Sequence, residues 1–270
     1  MAAGLALMYV MQSRLQADTV GCRNHLRELG LVGVRHASLP GIPFDGRESE
    51  GLPPGTCPNP TLAPDRRLSW YAYMLNVLDA GPPDTAKQRR PTGLADLINA
   101  FDAKAAWDAK GNAALAQFKL ASAICPAQVP AFGPGLFVPT NYLAVGGLGL
   151  DAPTLSMEAA GVRAGAYRYD GGTPDKAIVD GLRQTAQIIE TNWKRGPWLQ
   201  GGASSLRGLD VADLPYLGVG RPFGGCHRNG CYASMADGSV QFLRDSIDPA
   251  IFRSLFTIAG GPGEQNFDAP

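Results

Sequence analysis

The Asp237-Gly238 dipeptide is the feature that most restricts how this chain can fold. It separates two short apolar or alternating runs, and Asp-Gly tolerates the positive φ angles that a tight two-residue turn requires. We therefore predict an antiparallel β-hairpin over residues 233–243. His227 stands nine residues before the turn and is followed by Arg-Asn-Gly, which is itself typical of a loop.

The composition favours a loop-rich domain. The 270 residues include 34 Gly and 22 Pro, with 45% hydrophobic and 18% charged residues. Such values are more typical of a β or α+β domain than of a helical bundle. The 24 basic residues balance 24 acidic ones, and no basic stripe with interleaved aromatic residues occurs. Nucleic acid is therefore not expected as a partner.

The N-terminal segment is predicted to form a long helix, from about Gly4 to about His36. Its apolar start is far shorter than the ~20 residues that span a bilayer, and it lacks the features of a secretory signal. We interpret it as the lower end of a longer hydrophobic helix, with membrane contact expected only if a hydrophobic segment lies upstream. One helix face is shared by Leu15, Cys22, Leu26 and Leu29.

The rest of the chain is predicted to form a β-rich head domain over residues 37–260, followed by a flexible tail over residues 261–270. A second helix is predicted over residues 68–78, although the aromatic content of this segment is also compatible with a strand. Short strands are expected at 141–146 and near 188–190, and Asp248-Pro249 is expected to cap a final helix. A helix followed by strands in series indicates an α+β fold.

The five cysteines form no Cys-x-x-Cys motif, so no paired-motif zinc site is predicted. Cys226 and Cys231 flank a short Gly-containing loop. They could be buried thiols, and two other interpretations remain open. One is a local disulfide. The other is zinc bound by Cys226, His227 and Cys231, which would still need a fourth ligand.

Segments between residues 22 and 260 resemble, in order, a large bacterial family of prepilin-like proteins of unknown function. At the foot of the helix, Cys22-Arg-Asn24-His-Leu26 is similar to the family's Cys-x-Asn-Asn-Leu segment. The family's C-terminal signature is a His, nine residues, and Asp-Gly in a hairpin, matched here by His227 and Asp237-Gly238. The intervening matches are Pro53-Pro54-Gly55-Thr56, Leu68-Ser69-Trp70, Phe101-Asp102, Trp107-Asp108, Cys125-Pro126, Thr140-Asn141-Tyr142, Asp180-Gly181, Glu190, Pro197-Trp198, Gly201-Gly202 and Ser246-Ile247-Asp248-Pro249.

The resemblance implies a pilin-like α+β fold, with a long N-terminal helix packed on an antiparallel β-sheet and loop-rich insertions. It implies a non-enzymatic, pseudopilin-like structural subunit related to type IV pilins and type II secretion, located in the bacterial cell envelope or outside the cell. The expected partners are other pilin-like subunits, contacted through the N-terminal helix. No catalytic, cofactor or metal residue is implied, and the structural signature consists of His227, Asp237, Gly238, Asp180 and Gly181.

The resemblance also implies a disulfide between Cys22 and Cys125, because the family carries cysteines at the equivalent positions. With a local Cys226–Cys231 bond beside it, Cys57 would remain free. The sequence departs from the family at His227-Arg228-Asn229-Gly230, where the family has His-Pro-Gly-Gly, and in lacking the prepilin leader. Either the true start lies upstream, or this copy has lost membrane insertion and filament assembly.

Three other hypotheses rest on the residues themselves. His227, Asp237 and Ser239 could be taken for a catalytic triad, but strand geometry places the His and the Asp at opposite ends of a strand, roughly 20 Å apart. Asp180, Asp237 and Asp248 could line a calcium site, although no Asp-x-Asp-x-Asp loop is present. The alternative to a structural subunit is a soluble or surface binding module for carbohydrate or protein, in which the four tryptophans could stack on a sugar.

Overall fold

The computed structural model describes residues 2–34, 51–80, 97–98, 100–128 and 135–260. Over these residues the chain has an α+β fold, as the sequence predicts. The predicted tail at 261–270 and the predicted helix end at His36 lie outside the described residues. Within the described part, no helix combines the length and the hydropathy that a membrane span needs.

A five-stranded sheet forms the centre of the head. Its strands are β2 (Tyr142–Leu148), β4 (Ala186–Glu190), β5 (Leu206–Leu209), β6 (Gly230–Met235) and β7 (Val240–Arg244), in the spatial order β5-β2-β4-β6-β7. A separate two-stranded ladder pairs β1 (Gly51–Leu52) with β3 (Thr173–Pro174).

The predicted hairpin is confirmed, because β6 and β7 pair in antiparallel register around the Asp237-Gly238 turn. The β2–β4 and β4–β6 pairings are also antiparallel, whereas β5 joins the edge of β2 in parallel. The sheet is therefore mixed at one edge. The predicted antiparallel sheet is present in three of the four pairings, and the edge strand β5 adds one parallel pairing with a segment about sixty residues earlier in the chain.

Five α-helices are described. They are α1 (Ala2–Val34), α2 (Tyr71–Ala80), α3 (Lys110–Ala116), α4 (Met157–Ala160) and α5 (Pro249–Ser254). Residues 71–78 are helical, which resolves the choice left open for this aromatic segment. Asp248 caps α5, as predicted, since its side chain accepts hydrogen bonds from the backbone N–H groups of Ala250 and Ile251.

Both faces of the sheet pack against a core, except along the edge strand β7, where Phe242 and Arg244 are exposed. Alternate residues of the inner strands enter different cores. On one face, Tyr142, Ala144 and Ile188 join a core that includes α1 and α2. The opposite face contributes Leu143 and Ile189 to a second core, which Phe252 of α5 and Phe256, just beyond its end, close. A strand buried on both faces becomes an almost continuous apolar run, and β2 (Tyr-Leu-Ala-Val-Gly-Gly-Leu) has this character.

Helix α1 lies across the first face through the residues of its second half. Cys22, Leu26 and Leu29 are fully buried, and the backbone carbonyl of Gly30 accepts a hydrogen bond from Gln187 Nε2 on β4. A side chain at position 30 would collide with Ser234 on β6, so glycine allows the helix to lie directly on the sheet. About two turns towards its N-terminus, α1 places Cys22 beside the other end of β4, where Glu190 is located.

Candidate functional site

Glu190 ends β4 as a carboxylate with no solvent exposure, on the same face of the sheet as Ile188. One carboxylate oxygen, Oε2, accepts a hydrogen bond from the backbone N–H of Tyr232 at 2.7 Å. The other, Oε1, lies 3.1 Å from His227 Nε2. Burial of a carboxylate is unfavourable unless hydrogen bonds replace its hydration, and these two contacts do so.

His227 reaches this position because of the turn that follows it. Residues 227 and 230 form an antiparallel bridge, and Asn229 between them has a φ angle of 64°. Asn is one of the few residues that adopt this left-handed conformation readily. The turn folds His227 back against the start of β6, where its ring contacts that of Tyr232 edge-on with 5.3 Å between centroids. Only 8% of the His227 side chain remains exposed.

A disulfide lies against this pair. Cys22 of α1 and Cys125 are bonded across 103 residues of sequence, so the pairing that the family resemblance implied is present in the structure. The sulfur of Cys125 is 3.5 Å from His227 Nε2. The backbone N–H of Cys125 donates a hydrogen bond to Asn141 Oδ1 at 3.1 Å, and this bond fixes the segment just before β2.

These four side chains converge to an unusual degree. The potential ligand atoms of Cys22, Cys125, Glu190 and His227 all lie within 4.8 Å of one another. Among the described residues, this is the one group of three or more such donors. Two sulfurs, an imidazole nitrogen and a carboxylate oxygen are a donor set that suits zinc, although the sulfurs are bonded to each other here.

Two ionisable groups beside the cluster, Tyr142 and Cys226, are held in their neutral forms. Burial raises the pKa of the Tyr142 hydroxyl well above its usual range, and the nearby Glu190 charge acts in the same direction. That hydroxyl is buried and has no hydrogen-bond partner among the described residues. Burial likewise raises the pKa of the Cys226 thiol, again with a contribution from Glu190. These two groups therefore carry no charge at neutral pH, whereas the guanidinium of Arg195 lies 3.4 Å from Asn141 Oδ1.

The predicted local bond between Cys226 and Cys231 is wrong in this structure. Both are free, buried thiols, as is Cys57. Cys226 belongs to the core on the α1 side of the sheet, whereas Cys231 on β6 faces the opposite core beside Ala233 and Leu243. Because the sheet lies between them, they cannot bond or share a zinc ion with His227.

The three acids of the calcium hypothesis serve three separate loops. Asp180 accepts from the backbone N–H of Gly260, and Asp248 caps α5. Asp237 Oδ1 accepts from the backbone N–H of Ser239 at 2.8 Å within the hairpin turn. Asp237 and Asp248 are held by nearby backbone and Asp180 by the distant Gly260, and no group of three donors in the described chain includes these acids. The calcium reading therefore has no geometric basis here.

The remaining signature residues occupy turns. Gly181 has a φ angle of 98° and Gly238 one of 82°, so both adopt backbone conformations that favour glycine. Asp237 lies 3.6 Å from the guanidinium of Arg183 through its second oxygen, whereas His227 contacts Glu190. The hydrogen-bond partners of His227 and Asp237 are thus different, and nothing here assembles them with Ser239 into a triad.

The tryptophans offer little surface for a sugar. Trp70 and Trp198 are fully buried and Trp107 is 7% exposed. The Trp70 ring stacks on that of Tyr71 at 3.9 Å, and its indole N–H donates to the backbone carbonyl of Ser205. Their role is core packing. Trp193 alone among the four is half-buried, and the ammonium of Lys194 lies over its ring.

Reasoning from the sequence missed the pairing of His227 with Glu190. The two are 37 residues apart and lie at the ends of different strands, so no local spacing reveals them. One signal was available, since both belong to segments that resemble the prepilin-like family.

Comparison with family models, with curated proteins and with solved structures finds no match for this chain.

Proposed function

We propose that this chain is a non-enzymatic, pseudopilin-like structural subunit of a bacterial cell-envelope filament or secretion apparatus. The observation that carries the proposal is the division of α1 into two halves. The helix has 33 residues, which corresponds to a length of about 50 Å. Its buried side chains begin at Cys22, and the described side chains before that point are mostly exposed.

The exposed half of α1 carries apolar side chains. Tyr9 is 75% exposed, Met11 58% and Val20 52%. Apolar surface in water is unfavourable by roughly 25 cal/mol per Å², and packing α1 against the same helix of a second copy removes it. The arrangement of a projecting helix and a compact head fits a filament whose core is a helix bundle.

The cluster at Glu190 supports a structural role for the signature residues. Glu190 binds His227 and the backbone of β6, so it ties β4 to the strand that carries the Asp237-Gly238 turn. The disulfide attaches α1 to the same region. A subunit that transmits load between a helix and its head gains from such cross-links.

The alternative, a binding module that reuses a pilin-like head, has a weaker basis. An open groove of about 540 Å³ between α1 and the hairpin turn is lined by Arg23, Arg27 and Asp237, among others. Its charged lining, without aromatic rings, does not favour stacking on a sugar. A monomeric chain that binds a carbohydrate or protein ligand would nevertheless favour this reading over ours.

The proposal is tested by sedimentation equilibrium of the whole chain. We expect concentration-dependent self-association that Met11→Asp weakens at least about tenfold, because a charge would have to be desolvated in the helix bundle. The matched control is Val219→Asp, which places the same charge on a head residue that is 88% exposed. A wild-type chain that stays monomeric at high concentration, or equal effects of the two variants, would refute assembly through α1.

A further inference from the structure

A structural disulfide needs no acid and no imidazole beside it, yet this one has both. Glu190 is fully buried, and His227 Nε2 lies between its carboxylate and the sulfur of Cys125. The proposed filament role accounts for a tie between β4 and β6, and the contacts of Glu190 offset the cost of its burial. That role gives no reason for the two disulfide sulfurs to lie within 4.8 Å of the same imidazole and carboxylate.

We propose that Cys22, Cys125, His227 and Glu190 form a redox-gated binding site for a divalent zinc-class ion. In the oxidised chain the two sulfurs are joined in the disulfide and the site is closed. Reduction frees two thiols, which lose their protons when the ion binds and, as thiolates, complete a four-ligand site with His227 Nε2 and Glu190 Oε1.

The donor distances fit such an ion. Zinc bonds of about 2.0 to 2.3 Å in a tetrahedron place neighbouring donors roughly 3.3 to 3.8 Å apart. The distance from His227 Nε2 to Glu190 Oε1 is 3.1 Å, and that from His227 Nε2 to the Cys125 sulfur is 3.5 Å. Rotation about the Cα–Cβ bonds of the cysteines separates their sulfurs once the bond between them is broken.

The outer contacts already orient the ligands. The second Glu190 oxygen is occupied by the N–H of Tyr232, which directs Oε1 towards His227. Asn141 holds the backbone N–H of Cys125 and also donates to the carbonyl of Thr191, next to Glu190. Such second contacts fix the geometry of metal ligands and raise metal affinity in characterised sites.

An ion can reach the site from the surface near Tyr232. This side chain is half-buried and covers His227 edge-on, and the guanidinium of the exposed Arg23 lies 5.9 Å from its ring centre. Movement of these two side chains opens the way to His227 without unfolding a strand.

The chemistry balances with a dithiol as the reductant. Exchange with the dithiol breaks the Cys22–Cys125 bond, transfers two electrons and two protons to the protein sulfurs, and releases the reductant as a cyclic disulfide. Binding of Zn²⁺ then displaces the two thiol protons to solvent and forms two zinc–sulfur bonds. Exchange with a disulfide oxidant re-forms the Cys22–Cys125 bond: the oxidant accepts two electrons from the thiolates and two protons from solvent and leaves as a dithiol, and the ion is released.

The test uses the full chain, with Zn²⁺ and Co²⁺ as the probes. Under anaerobic conditions, the chain reduced with a dithiol that is then removed should bind about one ion per molecule, and the oxidised chain none. Bound Co²⁺ should show thiolate charge-transfer absorption and the ligand-field bands of a tetrahedral ion. Glu190→Gln and His227→Ala should each weaken Zn²⁺ binding at least about tenfold.

Cys226→Ala is the matched control, because it removes a buried thiol next to His227 that is not a ligand, and it should bind Zn²⁺ as the wild type does. Loss of binding in this variant, or its retention in Cys125→Ser at wild-type affinity, would overturn the assigned ligands.

Should reduction unfold the chain, Zn²⁺ must restore its circular dichroism and raise its melting temperature. A reduced chain that neither binds Zn²⁺ nor responds to it contradicts the proposal. Since the assay needs only the monomer, its result is independent of filament assembly.

Discussion

Glu190 connects several distant segments of the head, and the sequence around it does not indicate these contacts. Its carboxylate contacts the backbone of β6 and the imidazole of His227, and its own carbonyl accepts from the N–H of Gly224 at 2.7 Å. A buried carboxylate with specific partners penalises every alternative strand pairing that would leave it unpaired. The residue therefore contributes to the choice of one register as well as to stability.

The Asp237 side chain should stabilise the hairpin turn. Asp237→Ala removes the acceptor for the N–H of Ser239, and we expect it to lower the free energy of unfolding by about 1 kcal/mol in urea titrations. Asp237→Asn keeps an acceptor oxygen and should recover most of this loss. The partner Arg183 is 79% exposed, so Arg183→Ala should change stability little. A larger effect from Arg183→Ala than from Asp237→Ala would show that the ion pair matters more than the turn.

His25 should make stability depend on pH. Burial lowers the pKa of His25 in the folded chain, against a smaller opposite effect of the hydrogen bond with the carbonyl of Ile124. The unfolded chain, with a His pKa of about 6.5, therefore binds more protons just below that pH. Stability is retained above about pH 6.5 and is lost as the pH falls below it.

Urea unfolding between about pH 7.5 and pH 5 measures this effect. His25→Gln keeps a side chain that can donate to the Ile124 carbonyl but does not titrate. Its stability should fall less steeply, by a slope difference of at most about 1.4 kcal/mol per pH unit. Identical slopes for the two proteins would mean that His25 does not titrate differently on folding.

Some elements are specified by neighbouring residues and others by residues far apart in the sequence, and only the first kind could be predicted. The hairpin was predictable because Asp237-Gly238 specifies its turn locally, and so was the Asp248 cap. The parallel pairing of β5 with β2 was not, since it joins segments about sixty residues apart. Alternation along β6 does place Cys231 on one face, and applying it there would have argued against the bond to Cys226.

The contact between α1 and the sheet depends on the absence of a side chain at Gly30. Gly30→Ala gains up to about 1 kcal/mol of helix propensity, but its methyl group would collide with Ser234, which is fully buried. Overpacking of this kind destabilises by about 1 to 3 kcal/mol. We therefore expect a net loss of stability on thermal or urea unfolding.

A double-mutant cycle isolates this contact. Ser234→Ala removes the hydroxyl that the new methyl group would meet, so the double variant should be more stable than the sum of the single changes by about 0.5 kcal/mol or more. Additive effects would indicate that α1 and β6 are not in close contact at this point.

At the scale of the whole molecule, a sheet covered on both faces supports a helix whose first half has no described partner core. The two hydrophobic cores account for the head, and the disulfide fixes α1 to it over a loop of 103 residues. Closing a loop of this length stabilises a fold by up to about 4.7 kcal/mol in the chain-entropy model. The head can thus remain folded while α1 projects from it.

This division predicts how the proposed self-association through α1 should respond to salt. The chain has no net charge, and residues 2–20 contain only Arg14 and Asp18 as charged side chains. Contact through the exposed apolar half of α1 therefore gives screening little to act on. The association constant from sedimentation should change less than about threefold between roughly 0.05 and 0.5 M NaCl, since salt screens charge and leaves apolar burial largely intact. Dissociation at the higher salt concentration would instead assign the contact to charged surfaces of the head, such as the groove that contains Arg23 and Arg27.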